Sequence, residues 1–159
     1  MNIQGLLSRE ELKEFAAKMH AQGKKIVTTN GCFDILHIGH VRSLKASRAL
    51  GDLLLVGINS DGSVRRLKGE DRPINNEENR AEMLLSLECV DYVTIFDEGT
   101  PVEFLEIVKP DVHVKSADYK PEDLEETPVV EAGGGRIHIL ELIPGHSTTN
   151  IVDRLKSSS

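Results

Sequence analysis

The sequence predicts an α/β fold: one doubly wound parallel sheet of about five strands, with helices on both faces. Three observations carry this expectation. Short β-rich apolar runs alternate with helical stretches along the whole chain. One run, Leu53 to Ile58, is almost continuously apolar, as suits a parallel strand covered on both faces. The 159 residues, 39% hydrophobic and 28% charged, fit a single domain with its own core. Repeated βα units with right-handed crossovers then put helices on both sides of the sheet.

The elements follow in order. A first helix starts at Ser8, an N-cap with Glu11 three residues on, and runs to about Ala21 before Gly23 stops it. Lys25 to Thr29 reads as the first strand. A glycine-containing turn leads to a helix from about His40 to Leu50, which Gly51-Asp52 ends, and Leu53 to Ile58 is the second strand. Glu77 to Leu87 reads as a helix, Tyr92 to Phe96 as a strand and Pro101 to Val108 as a helix. Asp111 to Lys115 and Ile137 to Leu142 are two further strands, the latter entered from a Gly133-Gly134-Gly135 loop. A short last helix follows Ser147-Thr148-Thr149. The domain is expected over residues 1–155, with 156–159 a disordered tail. In such a sheet ligands sit beyond the carboxyl ends of the strands at the switch point, so the polar turns after Thr29, Ile58 and Lys115 should converge.

Composition narrows the function classes. No stretch approaches the roughly 18 consecutive apolar residues of a membrane span, and no basic leader precedes an apolar run. Cys32 and Cys89 form neither a disulfide framework nor a paired metal motif, so a reducing cytoplasm is expected. A net charge of −7 argues against nonspecific nucleic-acid binding, which needs basic surface.

The chemistry concentrates in Thr28-Thr29-Asn30-Gly31-Cys32-Phe33-Asp34-Ile35-Leu36-His37-Ile38-Gly39-His40, between the first strand and the helix after it. A helix start offers unpaired backbone N–H groups and a positive dipole end, which suit phosphate. Gly31 and Gly39 are expected to let the backbone approach a ligand. His37 and His40, three residues apart, are expected to face one pocket and donate to phosphate oxygens as charge builds up. Either histidine alone is more often an ordinary surface or core residue. Their joint position in the first βα connection is what points to a site.

This segment resembles a known family. His37-Ile38-Gly39-His40 is similar to the HxGH signature of the cytidylyltransferase-like nucleotidylyltransferases, which are Rossmann-like enzymes. Gly145-His146-Ser147-Thr148-Thr149 resembles the GxSTT element near the C-terminus of that family. The wider pattern is similar to the branch acting on D-glycero-β-D-manno-heptose 1-phosphate. It comprises Thr29 to His37, Ser63-Val64-Arg65-Arg66-Leu67-Lys68-Gly69 with Arg72-Pro73, and Asp118-Tyr119-Lys120-Pro121-Glu122. One departure stands out: Ser116-Ala117 follows Lys115, where that branch carries two glycines.

The resemblance implies adenylyl transfer from ATP to a sugar 1-phosphate, with Mg²⁺ held mainly by substrate phosphates, in a homodimer. It implies that His37 and His40 contact the reacting phosphates and that Asn30, Gly31, Cys32, Phe33 and Gly39 approach the nucleotide. Ser147, Thr148 and Thr149 would bind phosphate at the last helix, although an ST-rich N-cap is an equally good reading of those three alone. Lys115 and Asp118, at a strand's ligand edge, are expected near the nucleotide. Asp61, read as a strand-end turn residue, Arg65, Arg66 and Lys68, read as a polar loop, and Arg80, read as a surface side chain or a phosphate clamp, are expected near the acceptor. Asp34 reads as structural, satisfying turn amides, and the Cys32 thiol has no partner that marks a nucleophile. No protein side chain is assigned to the metal.

Three other readings remain. Another base or acceptor, such as glycerol 3-phosphate, phosphoethanolamine or FMN, fits the same class. An aminoacyl-tRNA synthetase fragment matches residues 37–40 literally, but needs a lysine-rich second signature and a tRNA-binding extension that this short acidic chain does not show. A noncatalytic nucleotide-binding module is disfavoured by the joint presence of both histidines and the Ser-Thr-Thr element.

Overall fold

The computed structural model describes residues 2–141 and 148–157, leaving out the side chains of residues 148–150. Its strands are β1 (Leu6–Leu7), β2 (Ile26–Gly31), β3 (Leu53–Asn59), β4 (Tyr92–Phe96), β5 (Val112–Ser116) and β6 (Arg136–Leu140). The helices are α1 (Arg9–Ala21), α2 (Ile38–Arg48), α3 (Asp61–Lys68), α4 (Glu77–Leu85), α5 (Val102–Val108), α6 (Glu126–Ala132) and α7 (Thr148–Ser157). The six strands make one sheet in the order β1-β4-β3-β2-β5-β6, every pairing parallel. From β2 the chain steps through β3 to β4, then returns to β5 on the other side of β2. The switch point therefore lies between β2 and β5, where the expected crevice should open.

Each face of the sheet buries one apolar cluster. Val27, Leu54, Val56, Ile58, Val93 and Val114 pack with Leu44 of α2 and with Ala81 and Leu84 of α4. Ile26, Leu53, Leu55 and Phe96 pack with Leu12 and Phe15 of α1, with Phe104, Leu105 and Val108 of α5, and with Val130 of α6. This alternation is the period-2 consequence of a sheet covered on both sides. β3 is buried along its whole length, as its continuous apolar run requires. Gly57 is the one place on β3 where a side chain has no room, since a Cβ there would lie 2.6 Å from the Phe104 ring.

Three elements correct the sequence reading. Residues 61–68, where Asp61 is expected in a turn and Arg65, Arg66 and Lys68 in a polar loop, form helix α3, with the Ser60 hydroxyl accepting from the Ser63 amide. Its apolar signal is weak because only Ser63 and Val64 face inward, and the Ser60 cap with Asp61 in the first turn is the cue that marks it. Helix α6 ends where the Gly133-Gly134-Gly135 run reads as a helix-to-strand loop, but the sequence sets no bounds for it, its Pro128 standing in the first turn, where proline is tolerated. The sixth strand is the two-residue edge β1, too short to carry a pattern. Elsewhere boundaries shift by two residues at most; α7 runs on to Ser157, past the boundary expected at 155. Leu142, Gly145, His146 and Ser147 lie outside the described residues.

Candidate active site

The turn from β2 into α2 is pinned from below. Asp34 is buried, and its carboxylate accepts from the Ile74 and Asn75 amides at 2.9 Å and from Arg72 Nε at 2.7 Å. Burial alone would raise this carboxyl's pKa, but those two amides and the guanidinium hold it below the usual carboxylate range. Asp34 is thus structural, as expected, although the amides it satisfies lie some forty residues on rather than in its own turn. Phe33 holds φ at 48°, a left-handed conformation that is strained for a bulky residue. Gly31 helps to make that placement possible. A Cβ there would lie 3.0 Å from the Phe33 ring, so the glycine seats an aromatic side chain instead of opening a direct path to a ligand.

The Phe33 ring lies 5.1 Å from the His40 ring, which stacks on His37 at 3.8 Å and 24°. The two histidines cap α2 reciprocally: His37 Nδ1 accepts from the Gly39 amide at 3.1 Å, and His40 Nδ1 accepts from the His37 amide at 3.4 Å. A nitrogen that accepts an N–H is unprotonated in a neutral imidazole, so His40 carries its proton on Nε2. Burial, with the adjacent His37 and Lys68 charges, lowers the His40 pKa to about 4. At neutral pH His40 is therefore a neutral N–H donor.

A cleft of about 620 Å³ opens at the carboxyl ends of β2, β3, β5 and β6. It brings together Asn30, Gly31, Cys32, Phe33, His40, Lys68, Lys115 and Asp118. His37 is not among its lining residues; it stands behind His40 as the N-cap. Gly39 is buried in the first turn of α2. Thr148 and Thr149 open α7, but their side chains, like all of Ser147, lie outside the described residues.

The residues expected around the acceptor divide. Lys68 lines the cleft, whereas Asp61, Arg65, Arg66 and Arg80 do not. Arg80 is fully buried, donating to Cys32 O at 2.8 Å, Asn59 O at 2.7 Å, Asn75 O at 2.9 Å and Asp61 Oδ1 at 2.8 Å. Its guanidinium braces the β2 and β3 turns against α4. The spacing of Arg80, Ala81 and Leu84 puts it on the buried stripe of that helix, a cue present in the sequence. Arg66 pairs with Asp97 at 3.3 Å on the surface, and Arg65 is exposed.

The structure adds lining residues that sequence reading passed over: Asn59, Tyr119 and Glu126 among them. Glu126 is buried and pairs with Lys115 Nζ at 3.1 Å, and the same ammonium donates to Asn30 Oδ1 at 3.1 Å. Its signal is faint, because a glutamate beside other acidic residues reads as solvated surface. Among the described residues no three His, Cys, Asp or Glu side chains converge as a metal cage. None of those helices is long and apolar enough to cross a membrane.

Comparison with known proteins agrees with this geometry. The family model described as cytidylyltransferase-like matches residues 28–154, most of the chain. A curated relative called bifunctional protein HldE, from Syntrophotalea carbinolica, is 49% identical over 92% of this chain and 30% of its own length. Another of that name, from Geobacter metallireducens, is 54% identical over 85% of this chain and 28% of its own. The chain thus spans under a third of the length of these relatives. Among solved structures, the lipopolysaccharide core biosynthesis protein of Thermoplasma volcanium is 31% identical, with a TM-score of 0.61 over 76% of this chain and 98% of that one. The pantoate-β-alanine ligase of Francisella tularensis, 14% identical with a TM-score of 0.61 over 95% of this chain and 76% of that one, shares the fold. A parallel sheet with its cleft at the switch point, a histidine pair capping α2 and a family match across both lead to one conclusion: this chain belongs to the cytidylyltransferase-like family and is a nucleotidyltransferase.

Proposed function

We propose that the chain transfers AMP from ATP to D-glycero-β-D-manno-heptose 1-phosphate, releasing pyrophosphate and giving ADP-heptose. The observation that carries the transfer chemistry is His40, a neutral imidazole whose Nε2–H remains for a ligand at the edge of the cleft. The heptose acceptor is supported by the extended motif from Thr29 to Lys68 and by relatives about half identical that bear the HldE name. A phosphate oxygen of the acceptor attacks the α-phosphorus in line. The new P–O bond forms as the bond to the bridging oxygen breaks, and pyrophosphate leaves with that electron pair. The attacking oxygen is already anionic, so no protein base is needed.

The chain's own contribution is positioning and charge stabilisation. His40 donates to a phosphate oxygen, the start of α2 supplies a positive dipole end, and Lys68 adds a cation at the rim. Arg80 and Asp34 hold the Cys32–Phe33 turn in place from beneath, as positioning residues. Mg²⁺, carried on the triphosphate, would neutralise phosphate charge when bound. We read the working form as a cytoplasmic homodimer, and light scattering checks the subunit number.

A second reading, another acceptor or base, is favoured by one observation: Ser116 lines the cleft where the similar branch carries glycine. The test is product mass and pyrophosphate release with ATP and CTP against heptose 1-phosphate, glycerol 3-phosphate and FMN. Highest kcat/KM for ATP with heptose 1-phosphate supports the assignment. A tenfold preference for CTP or a non-sugar acceptor, only about 1.4 kcal/mol, removes it while leaving the transferase class.

A further inference from the structure

The cleft has two unlike walls. On the α2 side stand His40 and, at the rim, Lys68, with the positive end of the α2 dipole. Across the strand ends, on the α5 and α6 side, stand Asn30, Lys115, Tyr119 and Glu126. Lys115 looks like a phosphate-binding cation by position, yet two of its donors are already engaged. One goes to Asn30 Oδ1 at 3.1 Å and one to Glu126 Oε1 at 3.1 Å, while the ammonium lies 4.8 Å from the Tyr119 ring centroid. Its charge is balanced by a carboxylate only 6% exposed, and the pair is nearly as buried on the lysine side at 11%. One wall is therefore cationic, whereas the other has its lysine balanced and, with Asp118 also lining the cleft, is rich in acceptor oxygens.

We infer that the α5–α6 wall is the subsite for the hydroxyl-bearing part of the acceptor, with Glu126, held by Lys115, accepting hydrogen bonds from sugar hydroxyls. This rests on the nucleotidyl-transfer reading above. In-line attack puts acceptor and leaving pyrophosphate on opposite sides of the α-phosphorus. With the pyrophosphate drawn to the cationic wall, the acceptor's body falls against the other. A carboxylate has about four lone-pair sites, and the lysine takes one, so several remain for hydroxyl donors. Tyr119 and the partly buried Leu124 give that wall apolar surface for the C–H faces of a sugar ring. A second phosphate would find no unbalanced cation there, so the wall selects a neutral polyol.

The test is steady-state pyrophosphate release by the full chain, varying ATP and D-glycero-β-D-manno-heptose 1-phosphate separately, for wild type and Glu126→Gln. The inference predicts that Glu126→Gln raises KM for the heptose 1-phosphate about tenfold and shifts KM for ATP less than about twofold. Its preference for the sugar over glycerol 3-phosphate should fall by a similar factor. If the single variant does not fold, because Lys115 is left buried without its counter-charge, Lys115→Met/Glu126→Gln removes both charges and should keep the raised acceptor KM. Equal rises for both substrates, or a rise for ATP alone, in whichever variant folds, overturns the subsite. Wild type that releases pyrophosphate with no sugar 1-phosphate overturns the proposed function itself, and the subsite with it.

Discussion

His40 and Arg80 both stand at the carboxyl edge of the sheet, and both look like ligand-binding residues in the sequence. The structure gives them opposite employment. His40 uses Nδ1 to close the α2 cap and keeps its Nε2–H at a cleft-lining position. Arg80 gives all three of its nitrogens to Cys32, Asn59, Asn75 and Asp61, with its side chain fully buried. The lesson concerns donors. A polar side chain at a ligand edge serves the ligand only with capacity that the fold has not already taken. By the same measure Lys115 belongs with Arg80, its cation balanced by Glu126, and the cationic part of the cleft is narrower than the sequence suggests.

The largest expected effect breaks the brace. Arg80→Ala leaves the half-buried Asp61 and the carbonyls of Cys32, Asn59 and Asn75 without their donor, and should cost about 3 kcal/mol or more. For a domain of this size that is a Tm lower by about 10 °C. Arg80→Lys should recover little, since one ammonium cannot span four acceptors on separate elements. A Tm unchanged in Arg80→Ala, with kcat lost, would instead make Arg80 a ligand contact and undo the contrast.

The next effect is a pH dependence from the same principle applied inside the core. His113 on β5 is fully buried against Thr28, its Nδ1 at 2.7 Å from the hydroxyl, and burial lowers its pKa to about 3, with Lys115 adding to the shift. A folded pKa below the unfolded value of about 6.5 means the unfolded chain takes up the proton first as pH falls. Stability is then full above about pH 6.5 and declines progressively towards about pH 3. The loss at this one group is on the order of 2 kcal/mol by about pH 5. His40 shifts in the same direction, to about 4, and adds to it. Denaturant unfolding of wild type and His113→Gln at about pH 7 and pH 5 checks this, because glutamine does not titrate. A slope in His113→Gln as steep as in wild type would refute the role of His113.

Smallest of all should be Arg66→Ala and Arg65→Ala. Both residues are exposed, and the Arg66–Asp97 pair is solvated, so stability should change by less than about 0.5 kcal/mol. Neither lines the cleft, so acceptor KM should stay within about twofold of wild type. A tenfold rise in acceptor KM for Arg66→Ala would restore the phosphate-binding role that the sequence suggested.

What was legible in the sequence follows from how each signal arises. The strand Leu53–Asn59 and the histidine-bearing turn declare themselves locally, one by a continuous apolar run, the other by residue types at a strand-to-helix junction. The Ser8 and Asn76 caps likewise mark their helices. Pairings between distant segments have no local mark. Nothing near Asp34 announces that Arg72 and the amides of Ile74 and Asn75 will close on it. Nothing near Lys115 announces Glu126, because α6 hides its start behind a proline and a run of acidic residues. Spacing placed His37 and His40 side by side, and both cap α2, but only the shape of the cleft shows that His40 lines it and His37 does not.

The central claim is that His40 supplies its remaining N–H to the reacting phosphates of a nucleotidyl transfer. The most direct measurement is kcat for pyrophosphate release by His40→Ala, taken beside its Tm. The account predicts a fall in kcat of about 10²-fold or more, the scale of losing one preorganised donor to a charged transition state, with Tm within a few degrees of wild type. Undiminished kcat in the folded variant would contradict it.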